Sequence, residues 1–533
     1  MEIFRKIIYI AKQYKKWMLR FFVFVICFFV LTHKLTNSSL WYDETIEYYF
    51  SKVLSGSTPG YRTAQNMYER LVWTHQPPLY NVLMYFWLRV FDSEFLFRFS
   101  GVVITLAGIA GLYGLVRYLC NEYWAAFVSI LYAFTYIVVY YAQECAEYHL
   151  LLCMLIWNLY YFARCIQKVD TRNLLLFVIS AALSVYSQYG AVFIVTGLAA
   201  ALVFCKIMEK DRKALITIGW TYTGAFFTAA LPLVHWFILP QMKKQGTMEV
   251  LHRFPVDQNI PADFVHAFTA TIRYSFLSPF SIRAQTAGIC ICVLVFAAGG
   301  GISLFLLKNK VLNALFAADV ISWIAYYLLV KLKYYAYTSY GEGFAKRWGL
   351  AFVPLWFLTL SVCMFQTGLY LHKKAGLKRR SFTVPVFVAG IFYCTVNYKC
   401  IDTNWQKDTM RDMAAAWYAE RGYETYTIVH NWSDAMFQFY ITHDKRYEKK
   451  YQEMILNTDL WIRNANAQTI CTKMQAAFHG KLPDYLYVVI PEANEELMKK
   501  SFGMLGYTDV SARYTGTSML LCARKQKQRR YKN

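Results

Sequence analysis

Long apolar runs recur along the first three quarters of the chain, and they constrain the fold more than any other feature. An α-helix rises 1.5 Å per residue, so about 20 apolar residues cross the hydrocarbon core of a bilayer. Runs close to this length lie near residues 17–36, 99–116, 124–141, 149–163, 174–187, 190–207, 214–237, 286–307, 311–330, 348–370 and 382–397. We therefore predict a mainly α, polytopic membrane helix bundle with about eleven transmembrane helices in residues 1–398.

The charged residues predict how these helices are oriented. The formal net charge is +23, and Lys and Arg concentrate in short segments between the apolar runs. Basic loops beside membrane helices mark the cytoplasmic side and attract anionic lipid head groups. We expect a multi-pass protein of the cell membrane, with a cytoplasmic N-terminus and the C-terminal domain outside. No basic stripe is interleaved with aromatic residues on a soluble face, which argues against a nucleic-acid partner.

Residues 79–91 form one further apolar segment, but its 13 residues are too few to cross a bilayer. If they crossed, every later loop would lie on the wrong side for its charge. We therefore predict an interfacial helix on the outer face. A short buried transmembrane helix is the alternative.

The pattern changes after residue 398. Strand-like segments at 425–430, 485–490 and 508–523 alternate with helix-like segments, one of them over 405–420, with Asp402, Thr403 and Asn404 as its cap. Alternation of this kind predicts a small α/β domain over residues 399–523. Residues 524–533 form a basic tail.

The pair Asp43-Glu44 follows directly on the first apolar run, within a predicted outer loop over residues 37–97. Charged residues at a membrane edge are costly, so they are candidates for function. We predict that both residues are catalytic. Alternatively, they cap the helix that begins beside them, because acidic side chains stabilise a helix N-terminus.

Other polar residues are predicted to share this outer face. A reaction that needs a base and also binds a phosphate would use both its acids and its cations. Each candidate has a structural role as its alternative. Examples are a residue that sets the start of a helix, and a cation whose side chain extends to the lipid head groups. The candidates are His75, Gln76, Arg98, Glu144, Tyr148, Gln188, Tyr189, Lys333, Lys346 and Arg347.

Several short elements, taken in order, resemble those of the GT-C polyprenyl-phosphate-sugar-dependent glycosyltransferases, a superfamily that includes protein O-mannosyltransferases and lipid A aminoarabinose transferases. No single element is specific, but the set covers nearly the whole membrane part. The elements are Asp43-Glu44, the Pro77-Pro78-Leu79-Tyr80 segment, Ser93-Glu94 with Arg98, Gln143-Glu144 with Tyr148, Tyr186 to Tyr189, Arg347 with Pro354, and Trp405 to Asp408.

The resemblance implies sugar transfer from a polyprenyl-phosphate donor to a lipid, glycan or protein acceptor, by one inverting displacement. An acceptor hydroxyl needs a base, and Asp43 is the implied one. The leaving phosphate is already a stable anion, so it needs cations rather than a general acid. The implied donor contacts are Arg98, Lys333, Lys346 and Arg347.

The resemblance also allows a divalent cation, Mg²⁺ or Mn²⁺, with Glu44 and Glu144 as candidate ligands. Glu44 would otherwise orient Asp43. The sequence departs from the family pattern at Gln76, Ala146 and Gln188, where relatives often carry His or Lys, Arg, and His respectively. These departures affect the contacts to the sugar and to the donor phosphate.

Two other functions remain open. One is a polysaccharide polymerase or ligase that joins diphosphate-linked glycans. The other is a transporter or flippase for a lipid-linked sugar, although such proteins usually show inverted repeats and helices broken at mid-membrane. The sequence shows neither feature.

Overall fold

The computed structural model describes residues 2–52, 66–73, 76–243, 260–332, 347, 349–374, 376, 378–404, 409–420, 426–429, 431–443, 455–457, 466–491, 495–514 and 518–525. The chain folds into two compact units. The first contains residues 1–35, 71–83 and 96–404, and the second contains residues 36–70, 84–95 and 405–533.

The first unit is a bundle of apolar helices. Among the described residues, eight helices are long and apolar enough to cross a membrane, or nine if one bent pair counts as a single span. The bundle contains Glu2–Thr32, Glu94–Leu119, Glu122–Phe134, Tyr136–Ala142, Tyr148–Gln167, Thr171–Ser187, Ala191–Met208, Arg212–Met242, Ile260–Ile272, Ile282–Leu307, Lys310–Lys331, Phe352–Lys374 and Arg379–Asn404. The predicted mainly α membrane fold is confirmed, although the described residues contain eight or nine candidate spans where about eleven were predicted.

Polar residues in the connecting loops set where several of these helices begin. The side chains of Asn121, Asp170, Asp211 and Asn309 each accept a hydrogen bond from the backbone N–H three residues later. This is the usual N-cap arrangement, which satisfies a donor that the first helical turn leaves unpaired. The backbone N–H of Asn173 lowers the pKa of Asp170, because the hydrogen bond stabilises the carboxylate.

The predicted span over residues 124–141 is not one straight helix, which corrects the sequence-based prediction. It breaks at Thr135, where the backbone is extended, and the two pieces are bent by 67°. The break frees the backbone N–H of Tyr136, and the side-chain oxygen of Asn397 accepts it at 2.8 Å. A break is tolerated at membrane depth when protein groups satisfy the backbone in this way.

Helix Arg212–Met242 contains two π segments, Phe226–Ala230 and Val234–Ile238. A proline follows each segment two residues later, at Pro232 and Pro240. Proline lacks an N–H and its ring clashes with the carbonyl four residues before it. A locally wider turn accommodates both effects, so the prolines account for the π segments.

Small residues allow close packing inside the bundle. Gly197 lies against helix Lys310–Lys331, where a Cβ would come within 2.1 Å of the Ser322 hydroxyl and 2.5 Å of the Ala318 carbonyl oxygen. Helix association in membranes depends on this kind of backbone approach. Aromatic rings fill the wider space nearby, with Trp323 stacked on Phe352 at a centroid distance of 4.2 Å.

The second unit contains a five-stranded sheet. Its strands are β1 Tyr426–Val429, β2 Ile455–Asn457, β3 Tyr485–Pro491, β4 Tyr507–Tyr514 and β5 Ser518–Lys525. Their order in the sheet is β2-β1-β3-β5-β4. β1 pairs in parallel with β2 and β3, whereas β5 pairs antiparallel with β3 and β4. The small sheet confirms the α/β character predicted for the C-terminal residues, although β2 was not predicted.

Helices of the C-terminal segment complete this sheet. Met410–Glu420, Asn431–His443, Ala467–Ala477 and Glu495–Met504 are its helices in the described residues. Their apolar faces meet the strands, and Met474, Val488, Phe502 and Leu521 are fully buried in one cluster. The predicted cap at 402–404 is wrong, because Asp402 to Asn404 end helix Arg379–Asn404. The Asp402 carboxylate lies within hydrogen-bond distance of the His33 ring and forms an ion pair with Lys34.

Three short helices lie in the segment between the first two membrane spans: Tyr42–Lys52, Met67–Trp73 and Leu79–Val90. Leu79–Val90 has 12 residues. At 1.5 Å per residue it is about 18 Å long, well short of the roughly 30 Å that a span requires. Its predicted place on the outer face stays a prediction.

Candidate functional site

The acidic pair lies at the start of helix Tyr42–Lys52, and the two acids differ in their surroundings. Glu44 is fully buried, and its Oε2 accepts the backbone N–H of Trp41 at 3.1 Å. Asp43 is half-buried. A glutamate that reaches back to the residue before the helix forms half of a capping box. The capping alternative therefore describes Glu44, whereas Asp43 keeps a more accessible carboxylate.

Contacts within the second unit hold this helix. The Tyr48 hydroxyl donates to the Asp92 carboxylate at 2.8 Å, and Lys52 forms an ion pair with Asp92. The Tyr48 ring packs edge-on against Phe439, with a centroid distance of 4.9 Å. Burial raises the pKa of the Tyr48 phenol, and the neighbouring Asp92 carboxylate raises it further. Tyr48 is therefore a neutral donor that fixes the helix.

In the first unit, the short turn of residues 143–147 connects the bent helix pair to helix Tyr148–Gln167. The side chains of Gln143, Glu144 and Glu147 are each 2% exposed, which is unusual for glutamates. Gln143 donates from Nε2 to the carbonyls of Leu31 and His33, both at 2.8 Å. The end of the first helix therefore anchors this buried acidic turn.

Arg347 lies next to the acidic turn. Its guanidinium carbon is 5.9 Å from the centroid of the Tyr148 ring, and Tyr148 packs against Tyr141 with centroids 4.4 Å apart. Glu144, Glu147 and Arg347 all lie within electrostatic range of the Tyr148 phenol. The structure therefore brings three predicted site residues, Glu144, Tyr148 and Arg347, into one cluster of acids, a cation and tyrosines.

A second group joins two more predicted residues through Gln241, which was not among the predicted site residues. The Tyr189 hydroxyl donates to Oε1 of Gln241 at 2.8 Å. The Nε2 of Gln241 donates to the carbonyls of Gln76 at 2.9 Å and Leu71 at 3.1 Å. Gln241 thereby fixes the backbone at both Leu71 and Gln76. In the sequence it is a single amide directly after Pro240, at the end of a long apolar run, which does not indicate these partners.

Of the remaining predicted site residues, Arg98 and Gln188 are both buried. Arg98 is 3% exposed and donates from Nη1 to the Leu35 carbonyl at 3.2 Å. Gln188 is 8% exposed, and its Oε1 accepts no hydrogen bond from the described residues. His75, Lys333 and Lys346 lie outside the described residues.

A divalent cation is bound by several oxygen ligands. The described residues contain no group of three His, Cys, Asp or Glu side chains arranged to hold a metal. One carboxylate oxygen of Glu44 is also engaged by the backbone N–H of Trp41. The described side chains therefore do not form a metal site by themselves.

An apolar cavity of about 380 Å³ opens among helices Thr171–Ser187, Ala191–Met208 and Arg212–Met242. Phe177, Tyr186, Phe226 and Ile238 are among its lining residues. Tyr186 and Ile238 each precede by three residues the hydrogen-bonded pair Tyr189 and Gln241. The cavity therefore runs along the helices that carry this polar pair.

These features define a polytopic membrane protein with buried acids and a cation near one another in its helix bundle and a more accessible acid at the start of a short helix. Residues 75–237 match the family described as dolichyl-phosphate-mannose-protein mannosyltransferase. The match includes Gln76, Arg98, Glu144, Tyr148, Gln188 and Tyr189. No curated protein sequence matches the chain.

The chain is also similar to solved structures. The apo oligosaccharyltransferase of Archaeoglobus fulgidus is 12% identical, with a TM-score of 0.50 over 95% of this chain and 74% of that chain. ArnT of Cupriavidus metallidurans, bound to undecaprenyl phosphate, is 11% identical, with a TM-score of 0.38 over 95% and 97%. The family match over residues 75–237 agrees with the resemblance seen in the sequence, and the likeness to the oligosaccharyltransferase shows a shared fold.

Proposed function

We propose that this protein transfers a sugar from a polyprenyl-phosphate donor to a lipid, glycan or protein acceptor on the outer face of the membrane. The observation that carries the proposal is the family match over residues 75–237, which contains the buried acidic turn, Gln76 and Tyr189. The hexosyl or pentosyl character of the sugar belongs to the proposal.

Asp43 is the proposed general base. A carboxylate must reach the acceptor hydroxyl to remove its proton, so a partly exposed acid is better suited than a buried one. Glu44 supports it from the same helical turn, because its carboxylate fixes the backbone at Trp41. The acceptor oxygen then displaces the phosphate at the sugar carbon in one step, which inverts the configuration.

Arg347 is the proposed principal contact of the donor phosphate, with Arg98, Lys333 and Lys346 as further cations. A guanidinium binds phosphate oxygens through two parallel hydrogen bonds. Glu144 and Glu147 act electrostatically on the same Tyr148 phenol as Arg347 does, and they would orient Arg347 or bind sugar hydroxyls. His75, Gln76, Tyr148, Gln188 and Tyr189 are the proposed sugar and carrier contacts.

The apolar cavity supports a lipid donor. Its lining is almost entirely aliphatic and aromatic, which suits part of an isoprenoid chain. The helices around it also face outward with large apolar side chains, such as Trp220 and Phe227. A carrier lipid could therefore reach the cavity from the bilayer.

A transfer assay in proteoliposomes tests the function against its alternatives. A polyprenyl-monophosphate sugar and a diphosphate-linked oligosaccharide would be supplied separately, with a fluorescent acceptor mixture. Transfer from the monophosphate alone is expected. Transfer from the diphosphate-linked glycan alone would favour a polymerase or ligase, and flipping without transfer would favour a transporter.

The proposed topology has the N-terminus in the cytoplasm, with helix Leu79–Val90 and the C-terminal domain outside. Single cysteines at Gln76 and Ser93, which flank this helix, test it. An impermeant thiol reagent added from outside should label both positions. Labelling at position 76 with protection at position 93 would mean that the helix crosses the membrane.

A further inference from the structure

One arginine of the C-terminal segment holds the loop that leads into the acidic helix. The backbone N–H of Arg411 donates to the Ser39 hydroxyl at 2.9 Å. Its Nη1 donates to the Thr36 carbonyl at 3.1 Å, and its Nη2 donates to the Glu94 carboxylate at 2.6 Å. A single residue thus ties together two segments that are distant from it in sequence.

Tyr440 reinforces this arrangement. Its hydroxyl accepts the backbone N–H of Leu40 at 2.6 Å, and the Arg411 guanidinium lies 5.8 Å from the centroid of its ring. Ser39 and Leu40 are both buried. Residues 36–40 are therefore fixed through the Thr36 carbonyl, the Ser39 hydroxyl and the Leu40 amide, all by residues of the C-terminal segment.

The chemistry of these contacts is specific to arginine. A guanidinium presents five N–H donors in a planar fork, so it can bind a carbonyl and a carboxylate in fixed directions at the same time. A lysine ammonium carries the same charge without this geometry. The loop joins Asp43 after only three more residues, so small shifts at residues 36–40 move the carboxylate as well.

We propose that Arg411 is a positioning residue for Asp43, through which the C-terminal domain holds the base in its reactive place. This inference rests on the proposed function of Asp43. The domain is then a part of the catalytic apparatus, although Arg411 itself touches neither sugar nor acceptor.

The test compares Arg411→Ala and Arg411→Lys in the full chain, with Arg524→Ala as the matched control. Arg524 is an exposed arginine of β5 whose guanidinium stacks on Tyr485 at 5.0 Å.

Misplacing a reacting group by about 1 Å can cost on the order of 100-fold in rate. We expect kcat to fall about 10- to 100-fold in Arg411→Ala with an unchanged donor KM. Arg411→Lys should lose nearly as much, because it lacks the planar fork. Added guanidinium should restore part of kcat in Arg411→Ala, and Arg524→Ala should retain full activity.

Hydrogen exchange of residues 36–45 supplies a second measurement. Faster exchange together with lower kcat in Arg411→Ala supports the proposal, and full kcat or unchanged exchange overturns it. If Arg411→Ala does not fold, Glu94→Gln decides by the same two criteria. If Asp43→Asn retains full turnover while Arg411→Ala loses it, the proposed base is wrong, yet the faster exchange would still show that Arg411 constrains the loop.

Discussion

The protein has two acidic segments, and their carboxylates differ in burial and in the groups that surround them. In the second unit, Glu44 is buried but bound to a backbone N–H at a helix start, and Asp43 beside it is partly exposed. In the first unit, Glu144 and Glu147 are both buried, among tyrosines and Arg347. A buried charge is stable only when other groups compensate it.

This difference is the basis of the division of roles that we propose. A partly exposed acid at the end of a fixed loop can meet a substrate hydroxyl and remove its proton. Buried acids beside an arginine form a preorganised polar cluster, which is suited to binding and orientation. Substitutions confined to one segment separate these roles, because they leave the other segment intact.

The largest expected effect is on turnover, from Asp43→Asn. The amide keeps the shape but cannot accept the proton, so transfer should fall about 10²- to 10⁴-fold. Donor affinity should be retained, because the carboxylate is assigned to the acceptor. Initial transfer rates and donor binding in detergent would measure both. Near-full turnover in folded Asp43→Asn would remove Asp43 from the mechanism and leave it a helix-start residue.

Arg347→Ala should weaken donor binding with folding intact. Hydrogen bonds to charged groups contribute roughly 1.5–3 kcal/mol, so we expect a loss of about 10- to 100-fold in affinity. Arg164→Ala is the matched control, because its guanidinium lies over the Tyr118 ring at 4.9 Å in the same unit. Titration with a polyprenyl phosphate would report the change. Equal affinities for both variants would contradict the phosphate role of Arg347.

Gly101→Ala should disturb the buried acidic turn, because Gly101 packs against the residues that flank it. A Cβ at Gly101 would lie 2.4 Å from the Ala142 carbonyl oxygen and 3.1 Å from the His149 ring. We expect a loss of about 1–3 kcal/mol in stability, because backbone cannot yield as a flexible side chain does. Gly219→Ala is the control, with no atom within 4 Å of its added Cβ. Thermal unfolding in detergent would compare them, and equal midpoints would refute this close packing.

The smallest expected effect distinguishes two roles of Glu44. As a capping residue, Glu44→Gln should retain stability and most activity, since glutamine can also accept the Trp41 N–H. Glu44→Ala should cost about 0.5–2 kcal/mol. As a metal ligand, Glu44→Gln should instead lower activity and regain part of it with added Mg²⁺ or Mn²⁺. Thermal unfolding and metal titration of transfer would decide between these outcomes.

Much of the fold could be predicted because its signals are local. The apolar runs have about the length and composition needed to cross a bilayer. Loop residues such as Asn121 and Asp170 cap helices through the backbone N–H three residues later. The bend at Thr135 could not be predicted, because its compensating acceptor is Asn397, which lies far along the chain. The strand β2 is only three residues long and carries too little pattern to detect.

The candidate site shows the same limit. The acidic pair was conspicuous in the sequence because charge is rare beside an apolar run. Gln241 was not, because a single amide after a long apolar helix gives no indication of its partners. Its importance depends on three groups that it joins, Leu71, Gln76 and Tyr189.

The sequence alone was enough to establish the membrane class and the positions of the apolar helices, from hydropathy and charge. The spacing of hydrophobic residues indicated the α/β character of the C-terminal residues, and the charge pattern identified the most conspicuous acids. These signals act over a few turns of chain. The structure assigned Glu44 to capping through a local contact with Trp41, three residues away. Tertiary packing was needed to gather Glu144, Tyr148 and Arg347, and to connect Arg411 to the loop before Asp43. These last two sets of contacts join residues hundreds of positions apart, and their geometry arises only when the elements pack.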